Sequence, residues 1–365
     1  VQLLYISSLL ISYLCQNTNS NIRITNCKVN CMNILIIGLG SIGQRHLRVL
    51  KNIYKKKVSF YTLDSTNNNR VIKDNFESFK VKSLCKYYSI KKIKISEVKK
   101  YNIIAAYICS PPNLHLKTAL NLVSQSCNLF VEKPLSTDKE LKEIKKLLEI
   151  SYRKKLVIRV GYQLRFHPGV KIVKNIIENK KYGNVVNGYF HFGEFTGAVK
   201  KYENFLDSIY VKQNKGGGAL LAFSHHLDLA FHFFGKLKNK YSLLDNSKNF
   251  KIDVEDNCKI ILSDNKKNNF LFNLNFLDNP QENFFILNFQ SGSLKWDYTK
   301  GSLVVKKYEK DVTKIYNFKK FKRNDLFKEQ SRLFFSDIRF KNYKNQSLRD
   351  SYDLLKLINN IKKKS

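Results

Sequence analysis

The chain of 365 residues exceeds one ordinary domain and has material for two hydrophobic cores. Hydrophobic residues make up 43% and aromatics 13%, spread along its length, which excludes disorder and fibrous or collagen-like sequence. The net charge of +36, from 65 Lys and Arg against 29 Asp and Glu, points on its own to nucleic acid or an anionic membrane.

That charge is discounted on composition. Lys far outnumbers Arg, and Asn, Ile, Phe and Tyr rise with it while Ala is scarce. This is the pattern of an AT-rich coding bias, whereas phosphate recognition favours clustered arginine. The surface is read as scattered solvated lysine, with no nucleic acid as partner. Seven cysteines, an odd number without a C-x-x-C pair, fit neither a disulfide framework nor structural zinc, so a reducing, cytoplasmic setting is expected. Val1 to Leu14 is apolar but too short to span a bilayer, and it lacks a basic start, so no membrane is expected as partner. The sole methionine, Met32, stands directly before the first convincing strand, and residues 1–31 are expected to be a non-native upstream extension.

From Met32 short apolar runs alternate with amphipathic stretches, the signature of βαβ units around a parallel sheet. Ile34 to Ile37 reads as the first strand, Gln44 to Leu50 as a helix and Val58 to Leu63 as the second strand. A stretch rich in Asn and Lys follows, with a helix expected from Ser96. Ile103 to Ile108, a helix from Leu116 to Val123, and Leu129 to Val131 come next. Thr137 and Asp138 are placed to cap a helix from Lys139 to Ile150, and Leu156 to Val160 is a further strand. The second half reads as Val185 to Phe195, a helix from Gly218 to Phe234, and strands at Ile252 to Leu262, Phe270 to Leu277, Phe284 to Gln290, Ser293 to Tyr298 and Leu303 to Tyr308. Helices at Asp325 to Phe340 and Leu348 to Lys362 end the chain. The expected fold is α/β: a Rossmann dinucleotide-binding domain over 32–152, then an α+β domain over 153–365 with an open, largely antiparallel sheet. Phe284 to Leu287 is apolar on both faces, which suggests that a second subunit covers that sheet, as a homodimer or homotetramer.

Gly38-Leu39-Gly40-Ser41-Ile42-Gly43 follows a strand and opens a helix. Gly38 permits the tight turn, Gly40 lets backbone approach a pyrophosphate, and Gly43 lets helix and strand pack closely. Asp64, about 20 residues on, is placed for the ribose hydroxyls and favours NAD, while Arg70 keeps NADP open. Two further loops, Cys109 to His115 (with Ser110, Pro111 and Asn113) and Glu132-Lys133-Pro134, sit where later strands end, the ligand edge of such sheets.

Together with the glycine loop, these segments resemble the glucose-fructose oxidoreductase, inositol dehydrogenase and rhizopine-catabolism (Gfo/Idh/MocA) family. The resemblance runs from Met32 to the C-terminus. It implies a Rossmann domain joined to an open-sheet substrate domain, and a lysine, here Lys133, that meets both cofactor and reacting hydroxyl. It also implies cofactor contacts from Ser110, Pro111, Asn113, His115 and Glu132. Gly161 to Pro168 matches the family's entry to the second domain, where Tyr162 or Arg165 would meet substrate and where His167 has a capping or packing role as its other reading. Gly216 to Asp228 resembles the family's glycine-led catalytic helix. Read as His-x-x-Asp it selects His225 as acid/base with Asp228, three residues apart on one helical face, and His226 is the alternative. Ala222 stands where many members carry aspartate, so a Lys-Asp-His trio is not assumed. The Ser-His-x-x-Asp variant resembles the branch near bacterial surface-sugar and nonulosonate pathways. The implied activity is NAD(P)-dependent hydride transfer at a secondary alcohol or ketone of a sugar, nucleotide sugar or cyclitol. The alternative is a catalytically degenerate nucleotide-binding sensor on the same scaffold. No metal site is expected: His225, His226, His232 and Asp228 lack a facing third ligand.

Overall fold

A computed structural model of the chain describes residues 32–63, 69–137, 139–195, 197, 202–309 and 312–365. The expected extension over 1–31, the ribose carboxylate Asp64 and the capping residue Asp138 lie outside these residues.

Six strands form a parallel sheet in the order β5-β2-β1-β6-β7-β8. They are β1 Met32–Ile37, β2 Val58–Thr62, β5 Ile90–Lys92, β6 Ala105–Ile108, β7 Asn128–Glu132 and β8 Ile158–Gly161. The apolar runs of β1 and β6 are buried on both faces, as a sheet covered by helices on each side requires. Chain order reverses between β2 and β6 on either side of β1, so the crevice beyond the end of β1 is the topological switch point. The helices are α1 Ser41–Tyr54, α2 Leu84–Tyr88, α3 Pro112–Ser124 and α4 Leu141–Arg153. A hairpin of β3 Arg70–Ile72 and β4 Ser78–Lys80 occupies the Asn- and Lys-rich stretch, where no element is expected before Ser96. The helix expected from Ser96 is one 3-10 turn at Ile95–Glu97, and Asn102, in the left-handed region at φ 46°, closes off the segment before β6. Thr137 does not cap α4; its hydroxyl and that of Ser136 donate to Glu140, and Glu140 itself is the cap position. β8 bonds β7, so the first sheet continues past residue 152, beyond the boundary expected there.

The second sheet has eight strands in the order β10-β11-β12-β9-β13-β14-β15-β16, antiparallel except for β9 with β12. These are β9 Val185–Gly193, β10 Lys238–Asp245, β11 Asn257–Ser263, β12 Asn269–Asn275, β13 Glu282–Phe289, β14 Gly292–Asp297, β15 Ser302–Lys307 and β16 Val312–Asn317. Alternation sets its two faces: Phe270, Phe272 and Leu274 are buried while Leu271 between them is exposed. Phe285 and Leu287 are fully buried, whereas Phe284 and Ile286 lie half-buried on the open side. Over the buried face lie α5 Pro168–Glu178, α6 Ala219–Ala222 and α7 His225–Phe234. The single helix expected over Gly218 to Phe234 is therefore two, broken at Phe223 and Ser224. The last helices, α8 Arg323–Arg339 and α9 Gln346–Lys364, return to the first domain. Phe334 packs on Tyr107 and Phe130, and the Asn345 side-chain oxygen accepts the Ile158 N–H at 2.9 Å.

Candidate active site

At the switch point the glycine loop is shaped by close approach. A Cβ on Gly38, whose φ is +86°, would lie 2.6 Å from the Ser110 nitrogen, and one on Gly43 would lie 1.9 Å from the Gly38 carbonyl oxygen. A Cβ on Gly40 would meet nothing within 4 Å, so backbone there faces open space at the start of α1. The first turn of α1, beginning at Ser41 and Ile42, carries no acidic residue. Beside it, Ser110 Oγ and Asn113 Oδ1 are buried without a partner among the described residues. Bare helix N–H groups, free space and unmet polar atoms fit a dinucleotide's pyrophosphate.

A cleft of about 260 Å³ opens from this loop toward the second sheet, lined among others by Ile42, Ser110, His115, Glu132, Lys133 and His225. His115 ties the two ligand loops together: Nδ1 lies 2.9 Å from the Pro134 carbonyl oxygen and Nε2 lies 2.6 Å from that of Ser110. Burial lowers its pKa, against the pull of both carbonyls. Pro111 is the cap position of α3. Glu132 is buried, its Oε1 2.6 Å from His46 Nε2 and its Oε2 accepting the Lys133 N–H at 3.3 Å. Tyr107, Phe130 and Phe327 ring that imidazole. His46, one of the residues that sequence reasoning passed over, thus braces the Glu132-Lys133-Pro134 loop from behind. Its only signal is a histidine on an otherwise packed face of α1.

Lys133 crosses the cleft and its ammonium donates to the Ala222 carbonyl at 2.6 Å. At the position where the family's aspartate is expected, the chain offers a backbone oxygen. His225 starts α7 after the break and lines the same cleft, its ring edge-on to Tyr162 at 5.9 Å. Burial first, then the charges of Lys133, His226 and Arg323, hold its imidazole well below the ordinary pKa. A neutral ring beside a cationic lysine is the state a proton acceptor needs.

Four expectations are corrected. Asp228 does not tune His225: it is buried and bonded by Arg165, Nε to Oδ2 at 2.8 Å and Nη2 to Oδ1 at 2.6 Å. Arg165 does not face substrate, since its remaining arm bonds Asp350 at 2.8 Å and it lies outside the cleft lining. His226, about 100° around the helix from His225, points under the sheet, 3.2 Å from the Phe284 carbonyl oxygen, and burial pushes its pKa down to about 3. Tyr162 is buried behind His225 and is not a lining residue. His167 takes its capping and packing reading: as the cap of α5 its Nδ1 accepts from the Gly169 N–H, and it also accepts from Trp296 Nε1, each at 3.1 Å.

The lining also includes residues that the sequence did not single out. Gln163 and Asn283 are buried with side-chain oxygens lacking partners, and Glu194 accepts from Gln281. Such unmet acceptors suit a ligand rich in hydroxyl donors. Away from the cleft, His191, Asp278 and Glu282 have metal-ligand proximity on the open face of the second sheet. There Asn273 donates to His191 Nδ1 at 2.9 Å, which leaves Nε2 protonated and donating to Asp278 at 2.7 Å. That network is satisfied without a metal.

A nucleotide-binding switch point feeding a cleft with a lysine and a neutral histidine defines a dinucleotide-dependent oxidoreductase architecture. The chain belongs to the oxidoreductase family with the NAD-binding Rossmann fold, whose model matches residues 32–162, and the family's GFO/IDH/MocA C-terminal domain matches residues 170–295. It is 27% identical over 140 residues to oxidoreductase P35 of Formosa agariphila, 38% of this chain. It is 27% identical over 152 residues to myo-inositol 2-dehydrogenase of Thermotoga maritima, 42% of this chain. The chain spans 42% of the length of each of these relatives. In fold it is similar to KijD10, a 3-ketoreductase from Actinomadura kijaniata in complex with NADP and TDP-benzene, with a TM-score of 0.74 at 16% identity over 92% of this chain and 98% of that one. Among the described residues no helix is long and apolar enough to cross a membrane.

Proposed function

We propose that the chain catalyses NAD-dependent oxidation or reduction at a secondary alcohol or ketone of a sugar, sugar derivative or cyclitol, in a reducing compartment. The observation that carries this reading is the convergence of Lys133 and His225 on one cleft that opens from the glycine loop. NAD would rest on Gly40, Ser41 and the loops of Ser110 and Lys133, with Asp64 on the ribose, and supplies the hydride acceptor or donor. In the oxidation direction Lys133 donates to the substrate hydroxyl oxygen and lowers the hydroxyl's pKa, and neutral His225 takes its proton. Glu132, held by His46, fixes the lysine's backbone. Gln163 and Asn283 accept from other hydroxyls of the substrate. The test is NADH binding by fluorescence together with turnover against a panel of free sugars, nucleotide sugars and inositols. Asp64→Ala should weaken NADH, and a wild-type preference for NADPH would overturn the choice of NAD.

Ala222 favours a second reading, a sensor that binds the dinucleotide without turnover. It is preferred only if the panel yields no turnover while NADH binds tightly.

The open sheet supports a homo-oligomer. Strand register aligns Tyr241, Ile261, Leu271, Tyr189 and Ile286 in one apolar row across five strands; past Lys295 on β14, the row resumes with Val304 and with Ile315, 66% exposed at the far edge. Such an apolar row is a surface that a second copy would cover. Light scattering at micromolar concentration should give a dimer or tetramer, and a monomer would refute it.

A further inference from the structure

We infer that Arg323 forms an anion-binding subsite at the mouth of the cleft, placed for a phosphate or carboxylate group. The inference takes this cleft as the ligand site of the proposed oxidoreductase. Two guanidinium groups, from Arg45 and Arg48, share one carboxylate, Asp74, on the turn between β3 and β4, and the charge of Arg323 acts on Arg45 beside them. Asp74 is fully engaged: Arg48 donates to it at 2.5 Å and Asn324 at 2.7 Å, and Arg45 lies 3.6 Å from it. Arg45 is further bonded to the Asn324 side-chain oxygen at 2.6 Å and to the Asp74 carbonyl at 2.8 Å. Arg323, next to Asn324 at the start of α8, makes no hydrogen bond or ion pair with any described residue. Its guanidinium lies 5.6 Å from the centre of the Phe76 ring. Both Arg323 and Phe76 line the cleft.

The platform under that guanidinium is built. Phe76 has φ +66°, a left-handed backbone that a residue with a Cβ adopts at a cost, and its ring stacks on Tyr202 at 6.2 Å and 26°. A strained aromatic at a cleft edge, stacked on one side and carrying a cation, fixes the direction of an otherwise mobile arginine. The local charge is unbalanced: Arg45 and Arg48 already share the Asp74 carboxylate, and Arg323 adds a third cation without an anion of its own. Burial and then Arg323 lower the Arg45 guanidinium to about 10, consistent with repulsion that an incoming anion would relieve. The Arg323 field also reaches His225. A planar guanidinium takes phosphate or carboxylate oxygens in pairs. Such a group has two sources here, the pyrophosphate of the dinucleotide or an acidic group on the substrate.

The test compares wild type with Arg323→Gln on the full chain. Arg323 is exposed at the first turn of α8, so the variant should melt with the wild type. NADH is titrated by fluorescence, and inorganic phosphate is titrated into the NADH-loaded protein by calorimetry. A loss in NADH affinity of at least threefold, on the order of tenfold for a lost charge-assisted pair, assigns the subsite to the dinucleotide. Unchanged NADH affinity with the same loss for phosphate assigns it to the substrate. Less than threefold change in both arms overturns the inference. If wild type binds no NADH, the oxidoreductase reading fails, and phosphate titration of the free protein still decides on Arg323 by the same threshold.

Discussion

His225 and His226 are neighbours in sequence with opposite surroundings. One edge of the cleft belongs to His225, with the Lys133 charge beside it, whereas His226 is sealed beneath β13. Replacing each by alanine therefore separates chemistry from packing. His225→Ala and Lys133→Ala should each lose roughly 10²- to 10⁴-fold in turnover while the protein stays folded. His226→Ala should instead lose on the order of 2 to 4 kcal/mol of stability by leaving a cavity. Turnover assays paired with thermal denaturation check both, and an essential His226 beside a dispensable His225 would reverse the assignment. Ala222 contributes its carbonyl rather than its side chain, so Ala222→Ser should leave the Lys133 bond in place.

Elements are held to one another by a few buried polar ties. Arg165, just after β8, reaches Asp228 on α7 and Asp350 on α9, so one guanidinium joins the first sheet to two helices. Burial would lower the Arg165 pKa, but the two carboxylates raise it further above its ordinary value, and it is a fixed cation. Asp228→Ala leaves that cation buried with one exposed-side partner and should destabilise by about 3 kcal/mol, the lower range for a broken buried pair. Chemical denaturation checks this, and an unchanged midpoint would refute the tie. The glycine loop, its sheet and the Lys133 loop were legible in the sequence because apolar run, Gly spacing and Pro-bounded loops are local signals. The partner of Asp228 was not, because Arg165 lies 63 positions away in the chain. Helix periodicity placed His225 and Asp228 three apart on one helix, and both do lie on α7, yet Arg165 takes both carboxylate oxygens of Asp228. The hairpin β3–β4 and the edge strands β10 and β16 were missed for a different reason: short or half-exposed strands rich in Lys and Asn carry little alternation.

At the scale of the whole molecule, burial holds His115, His167, His225 and His226 neutral. Burial lowers the pKa of His167 to about 4 and of His226 to about 3, and it lowers those of His115 and His225 as well. Unfolded, the same rings take up protons as pH falls through about 6.5. Their contribution to stability is therefore fully present above that pH and is lost as pH falls toward 4. Melting temperature should drop steeply between pH 6.5 and 4, and a flat profile there would contradict the burial. One of these rings has an optical consequence. Trp296, the sole tryptophan of the chain, is fully buried, stacks on Phe285 at 5.1 Å and donates its indole N–H to His167. Tryptophan emission from this protein thus comes from a single dry indole in β14, blue-shifted and shielded from aqueous quenchers such as iodide. Because protonated His167 can no longer accept that hydrogen bond, acid titration should change the emission, near pH 4, while His167→Phe should abolish the transition. The chain carries its own one-channel fluorometer for the second sheet.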